Sequence, residues 1–145
     1  GRNLFVHAGL SARLLERDLE MDTLNARMSE GLYRTSKERR EDPTLEFLYR
    51  SAGPVWYRGM VCADEKYDPL TPEQTDALLR RYDADRLLVG HTIFPDISTF
   101  HDGRVIAVNV QNERNRRKNR GRAVLIEGSR ISVIGNRGVK RVLEE

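Results

Sequence analysis

Apolar residues recur with a helical period in the first part of the chain and with a strand period in the second. The best defined helical segment is TPEQTDALLRRY, in which Thr71 stands at the N-cap, Pro72 at the first helical position and Gln74 three residues after the cap. The charged stretch at 36–43 is predicted to be a solvated connection between helices. Three further predicted helices begin near Ser11, Thr23 and Pro43.

The strand signals predict how the second part of the chain is arranged. NLFV near the start and RLLVG at 86–90 are short apolar runs typical of covered strands. Two later pairs of alternating runs flank Asp102-Gly103 and Gly128-Ser129, which predicts two β-hairpins. We therefore predict an α+β fold with a mixed sheet and antiparallel hairpins. Residues 1–85 hold a strand and the helical segment, and residues 86–145 are rich in β-structure.

Composition limits the classes of protein that are compatible with the chain. Its 145 residues suit one domain, and 39% hydrophobic residues can form a core beneath a surface rich in charge. No apolar run reaches the length of a membrane span, and one cysteine excludes an internal disulfide framework. We expect a cytoplasmic location and leave a periplasmic one open. The net charge is only +3, but basic residues concentrate at 114–122, where a solvated loop is favoured over a nucleic-acid site because no aromatic residue interrupts the run.

Two of the three histidines stand at the end of a predicted strand. His7 follows NLFV and His91 follows RLLVG. Loops at strand ends are where layered α/β folds build sites, and neutral imidazole is a preferred metal ligand. For either histidine alone, a cap that bonds a backbone carbonyl is the favoured alternative. His101 lies beside Asp102 in a predicted hairpin turn, where a structural role is expected.

The segment GPVWYRGM at 53–60 is the third candidate. Gly, Pro and two aromatic residues on an irregular segment would hold Arg58 in a defined place, and a guanidinium matches phosphate with two parallel hydrogen bonds. The alternative is that Trp56 and Tyr57 are core residues and Arg58 extends to solvent.

The three motifs FVHAGLS, GPVWYRG and LLVGHT, in this order, resemble the C-terminal half of the calcineurin-like metallophosphoesterases. The bacterial serine/threonine phosphatase-like branch, the Shewanella-like phosphatases, is the most similar. The resemblance implies a layered α/β/β/α sandwich that hydrolyses phosphate monoesters, including phosphoserine or phosphothreonine, by attack of a hydroxide that bridges two divalent ions (Mn, Fe, Zn or Ni). It makes His7 and His91 metal ligands and Arg58 the residue that binds the substrate phosphate. The supporting residues that it implies are Thr92, Asn109 and Tyr57.

The chain also departs from that family, because the family's earlier carboxylate and asparagine motifs have no counterpart here. We therefore expect an N-terminal half before residue 1, and we expect this part alone to hold no metal firmly and to be inactive. The expected partner is a phosphorylated protein or small molecule, without a membrane, and an exposed sheet edge would favour self-association. The alternative function is a non-catalytic binding module whose basic hairpin at 114–122 engages nucleic acid or acidic protein.

Overall fold

A computed structural model describes residues 2–144 of the chain. Among these residues no helix is long and apolar enough to cross a membrane. The helices are α1 Met21–Leu32, α2 Ser36–Glu41, α3 Pro43–Tyr49, α4 Pro72–Arg81 and α5 Asn112–Arg117, with short 3-10 turns at Ala12–Leu14 and Glu65–Tyr67. The strands are β1 Asn3–Val6, β2 Arg86–Val89, β3 Ser98–Phe100, β4 Val105–Ala107, β5 Arg122–Glu127, β6 Arg130–Gly135 and β7 Gly138–Glu144.

The strands form two sheets. In the first, the order is β1-β2-β4-β3, with β1 and β4 parallel to β2 and with β3 antiparallel to β4. In the second, β5, β6 and β7 form an antiparallel meander. The α+β class with a mixed sheet and antiparallel hairpins is therefore confirmed.

The central strand β2 shows how the layers pack, because its side chains alternate between two cores. Leu87 and Val89 point towards α1, α3 and α4 and belong to the larger core. Leu88 points the other way, into a smaller core shared with Ile131 and Val133 of the second sheet. The layers are thus helices, mixed sheet and antiparallel sheet. The more specific prediction, the metallophosphoesterase sandwich, is not supported.

Helices α3 and α4 begin where the capping signals place them. Thr71 Oγ1 accepts a hydrogen bond from the Gln74 backbone N–H (3.2 Å), and Gln74 Oε1 accepts one from the Thr71 N–H (2.9 Å). Asp42 caps α3, and Pro43 occupies its first turn. These two starts confirm the sequence prediction because the capping bonds are local and need no tertiary contact.

The other helix predictions differ from the structure in where a helix begins or in how far it extends. The helix predicted after Ser11 is only a 3-10 turn, since the Ser11 hydroxyl donates to the carbonyl of Ala52 (2.7 Å) instead of capping. Helix α1 begins at Met21, so Thr23 lies inside it. The stretch at 36–43, predicted to be a solvated connection, has no buried residue but is mostly helical, because Thr35 forms a capping box with Glu38 and starts α2.

The second half differs from the prediction at two places. The basic run at 114–122 is only partly a loop: residues 114–117 belong to α5, residues 118–121 form the connection, and Arg122 starts β5. Within it, Arg117 pairs with Glu113 (2.5 Å) and Arg122 pairs with Asp96 (2.9 Å). Strand β7 was not predicted, because its alternation is hidden by a glycine and by charged residues. Binding of nucleic acid or acidic protein by this run stays an untested alternative.

Strand β1 lies at the edge of the mixed sheet, and within residues 2–144 it pairs only with β2. Phe5 stands opposite Leu88 in the register, yet its side chain is 67% exposed because the second sheet does not cover β1. An open strand edge beside an exposed aromatic ring favours pairing with another chain. Self-association therefore stays a prediction that can be tested at this strand.

We expect the chain to elute as a dimer or larger species at about 100 µM in size-exclusion chromatography with light scattering. Phe5→Lys should shift it to the monomer, because lysine on an edge strand opposes pairing. Leu32→Lys, at another exposed apolar residue, is the matched control and should change nothing. A monomeric wild-type chain at this concentration would contradict the prediction.

Candidate functional site

The parallel pairing of β1 and β2 brings their two terminal histidines together. Val6 stands opposite Val89, and the backbone N–H of Gly90 donates to the carbonyl of His7 (3.0 Å). The side chains follow: His7 Nε2 lies 3.1 Å from His91 Nδ1, and the two ring centroids are 5.0 Å apart. One of these nitrogens donates and the other accepts, so the tautomer of one ring fixes that of the other.

The backbone of His91 is unusual. Its φ is +58°, in the left-handed region, where a non-glycine residue costs about 1–3 kcal/mol. The ring that this conformation places is half-buried, and its Nε2 is buried without a hydrogen-bond partner in the described residues. A buried polar atom without a partner is costly. His91 Nε2 is therefore available to a bound group.

The irregular segment at 53–60 is fixed on both sides. The carbonyl of Pro54 accepts a hydrogen bond from the Ala8 N–H (2.9 Å), which ties the segment to the end of β1. Tyr57 is only 2% exposed, and its hydroxyl donates to the carbonyl of Asp68 (2.5 Å). Burial raises the pKa of this phenol well above its ordinary value. Tyr57 thus anchors the chain on one side of Arg58.

Arg58 is half-buried and points towards the histidine pair. Its Nη1 donates to Thr92 Oγ1 (3.1 Å), and its Cζ lies 5.9 Å from the centre of the Tyr67 ring. In the part of the chain that the structure describes, Arg58 makes no ion pair with a carboxylate. A guanidinium that is removed from water and lacks a counter-charge attracts an anion.

Trp56 completes the site, and sequence analysis missed it. The alternative interpretation placed it in the core, but its side chain is 52% exposed. Its ring meets His91 edge to face, with centroids 5.3 Å apart. Its position two residues before Arg58 in a Gly-Pro segment was the signal that could have identified it.

The remaining predicted residues differ in where they lie. Thr92 contacts Arg58 directly. Asn109 is joined to the neighbouring loop through its backbone carbonyl, which accepts from the Phe94 N–H (2.9 Å). Within residues 2–144 its side chain makes no hydrogen bond to the site. His101 is structural as expected, since its Nε2 lies 3.1 Å from a backbone carbonyl.

The positive charges of the site favour neutral imidazole. Burial lowers the pKa of His91 from its ordinary value of 6.5, and the charges of Arg58 and His7 lower it further. Because the pKa is lower in the folded chain, His91 of the unfolded chain takes up its proton at a higher pH than His91 of the folded chain. Protonation of His91 therefore reduces the free energy of unfolding as the pH falls below about 6.5.

We expect an NMR titration of the imidazole carbons to give His91 a pKa below 6.5. In Arg58→Gln that pKa should rise, because one of the charges that opposes protonation is gone. A wild-type pKa at or above 6.5, or the same value in the variant, would contradict this description of the site.

His7 and His91 do not by themselves fit a metal centre. The residues described contain no group of three or more His, Cys, Asp or Glu side chains that could hold a metal ion. A single zinc ion takes three or four protein ligands. The ligand role of the two histidines is untested, and no step below depends on it.

Comparison with known proteins gives a structural relationship. No family model matches the chain, and no curated protein matches it. Four solved chains match. One is the crystal structure of a cold-active protein-tyrosine phosphatase of a psychrophilic Shewanella species, with a TM-score of 0.85 and 26% identity over 99% of this chain and 41% of that one. This chain therefore shares the fold of part of that phosphatase.

Two further structures give the same relationship. A second structure of a cold-active protein tyrosine phosphatase has a TM-score of 0.84 and 25% identity, covering 98% of this chain and 40% of that one. A point mutant of a cold-active protein tyrosine phosphatase has a TM-score of 0.85 and 26% identity, covering 99% of this chain and 41% of that one. The chain thus spans about 40% of the length of the phosphatases it matches.

These findings correct two predictions. The structures that match are protein tyrosine phosphatases, which overturns the assignment to the calcineurin-like metallophosphoesterases. The two divalent ions (Mn, Fe, Zn or Ni) were implied by that family alone, and protein tyrosine phosphatases in general act without a metal ion, so the cofactor prediction is corrected with it. The metal dependence of the predicted reaction had the same basis and is corrected with it, whereas the expectation that the chain is one part of a larger domain is not tested and stays a prediction.

Proposed function

We propose that the chain hydrolyses phosphate monoesters at Arg58 and the His7–His91 pair. The observation that carries the proposal is the half-buried guanidinium of Arg58, which bonds Thr92 and lacks a carboxylate partner in the described residues. The fold shared with phosphatases supports it. A phosphorylated substrate and a cytoplasmic location are parts of the same proposal.

Phosphotyrosine is the substrate that we favour. A cavity of about 550 Å³ opens beside Arg58, and aromatic side chains form much of its wall, with Tyr49, Trp56 and Tyr67 among them. Aromatic rings pack well against a flat phenyl group. The structures that match are described as tyrosine phosphatases, which agrees with this choice.

In the proposed reaction Arg58 binds two phosphate oxygens and stabilises the negative charge that grows as water attacks phosphorus. His91 Nε2 accepts the proton of that water, because it is neutral and without a partner. The attacking and leaving oxygens lie in line on opposite sides of phosphorus, so the phenolate leaves with the electrons of the phosphorus–oxygen bond and takes its proton from solvent. His91 then releases the proton on Nε2 to solvent. His7 orients the ring and accepts the Nδ1–H at 3.1 Å.

Cys62 has no part in this scheme. It is the only cysteine in the chain and lies one turn beyond Arg58, with its N–H bonded to the Arg58 carbonyl (3.0 Å). Its side chain packs against the main core and does not line the cavity beside Arg58.

The test is release of inorganic phosphate from phosphotyrosine and phosphoserine by the purified chain. We expect release with phosphotyrosine preferred, and a loss of about 10²–10⁴-fold in His91→Asn, the usual contribution of a general base. Asparagine tolerates the left-handed backbone at this position, so the variant should fold. No release above a buffer blank, or full activity in His91→Asn, would contradict the proposal.

A further inference from the structure

The cavity beside Arg58 is charged as well as aromatic. Among the described residues, four cationic side chains line it and only one carboxylate, Asp68, does so. The four cations are Arg13, Arg50, Arg58 and Lys66. One guanidinium is sufficient to bind the phosphate in the proposed function. The other cations surround the space that the rest of the substrate would occupy.

Two of these additional cations, Arg50 and Arg13, differ in whether they are paired with a carboxylate. Arg50 is paired with Glu46 at 3.3 Å within one helix turn, and both side chains are exposed. Such a pair is weak and can exchange for a better partner. Arg13 is exposed and makes no ion pair in the described part of the chain. Arg13 is therefore free to meet an acidic ligand, and Arg50 can exchange Glu46 for one.

A second cavity of about 210 Å³ adjoins the first at two shared wall residues. The two cavities share Tyr49 and Arg50, and the second adds Arg39 and Arg40 at its wall. The Arg39 guanidinium stacks on the Tyr49 ring, with its Cζ 4.1 Å from the ring centre, so this wall is ordered by contacts within the chain. The positive surface thus extends from Arg58 to α2.

We propose that these joined cavities bind the polypeptide beside the phosphorylated residue and select acidic side chains there. This inference rests on the proposed function, because Arg58 must hold the phosphate for the neighbouring residues to reach Arg13 and Arg50. A peptide fits better than nucleic acid, since the aromatic rings line the first cavity and the second cavity adds no further ring, so the rings are not spaced along the surface.

Trp56 gives a direct measurement, because it is the only tryptophan of the chain and it lines the first cavity. Its fluorescence is followed during titration with three peptides that carry a non-hydrolysable phosphonate in place of phosphotyrosine. One has Asp and Glu on both sides of that residue, one has Asn and Gln there, and one is the acidic peptide with unmodified tyrosine. A single-stranded oligonucleotide of equal charge is the fourth ligand.

We expect the acidic phosphonate peptide to bind about tenfold more tightly than the neutral one, as two or more exposed charge pairs would give. Raising the salt concentration should remove the difference. In the double variant Arg13→Gln and Arg50→Gln the two peptides should bind equally. Arg80→Gln, an exposed arginine on α4 outside both cavities, is the control and should keep the preference.

The outcomes separate this inference from the function on which it rests. Equal binding of the acidic and neutral phosphonate peptides overturns the acidic preference and leaves the phosphate site intact. Tighter binding of the oligonucleotide than of the acidic peptide also overturns it. If neither phosphonate peptide binds, the phosphate site itself is wrong and both proposals fail.

Discussion

Replacing Arg58 by alanine should lower kcat/KM for phosphotyrosine by about 10²–10³-fold, the usual loss when a donor to the developing charge is removed. The guanidinium bonds Thr92 and pairs with no carboxylate in the described residues, so its removal leaves no buried acid unpaired. The unfolding midpoint in urea should therefore stay close to that of the wild-type chain. Rate and midpoint are measured on the same preparations.

Arg58→Lys separates charge from geometry. Lysine keeps the positive charge but cannot form two parallel hydrogen bonds with phosphate, so this variant should have an activity between those of alanine and the wild type. Arg80→Ala, on α4, should have no effect. Equal activity of Arg58→Ala and the wild type would show that the phosphate binds elsewhere.

The largest effect on stability is expected for Gly53→Ala. A Cβ built at Gly53 would lie 2.1 Å from the carbonyl oxygen of Leu48 and 2.5 Å from that of Phe47. Both are backbone atoms of α3, so no side-chain rotation can relieve the clash. We expect a loss of at least about 3 kcal/mol in the free energy of unfolding, measured in urea, together with lost activity, because the segment that holds Arg58 must move.

Gly103→Ala is the matched control for this substitution. It lies in the β3–β4 turn with φ +86°, and no atom lies within 4 Å of the added Cβ. Its cost should be about 1 kcal/mol, from backbone strain alone, without loss of activity. A stability of Gly53→Ala equal to that of Gly103→Ala would contradict the close packing of the segment on α3.

The residues that sequence reasoning placed correctly are those whose position follows from local rules. His7 and His91 meet because each ends a short apolar strand, and adjacent parallel strands bring their carboxyl ends together. The start of α4 at Thr71 follows from a capping box within four residues. Arg58 was singled out because its neighbours immobilise it, and the structure shows that immobilisation through the buried Tyr57.

The wrong predictions have two causes: tertiary contacts that no local pattern reveals, and the resemblance of short motifs to those of another family. Ser11 starts no α-helix because its hydroxyl bonds a carbonyl 41 residues away, which no local pattern reveals. Trp56 is exposed at the site, where its ring contacts His91, a residue 35 positions further along the chain. The metal prediction came from a family likeness of three short motifs, and two imidazoles within residues 2–144 do not form a metal centre.

The central claim is that phosphate binds between Arg58 and the histidine pair. The most direct test is an NMR titration of the isotope-labelled chain with inorganic phosphate, following the Arg58 Nε–H, the Thr92 amide and the imidazole of His91. We expect saturable shifts of these three groups at a common phosphate concentration. If the signals of these three groups stay unchanged while those of the arginines of α5 shift, phosphate binds elsewhere and the proposed site is wrong.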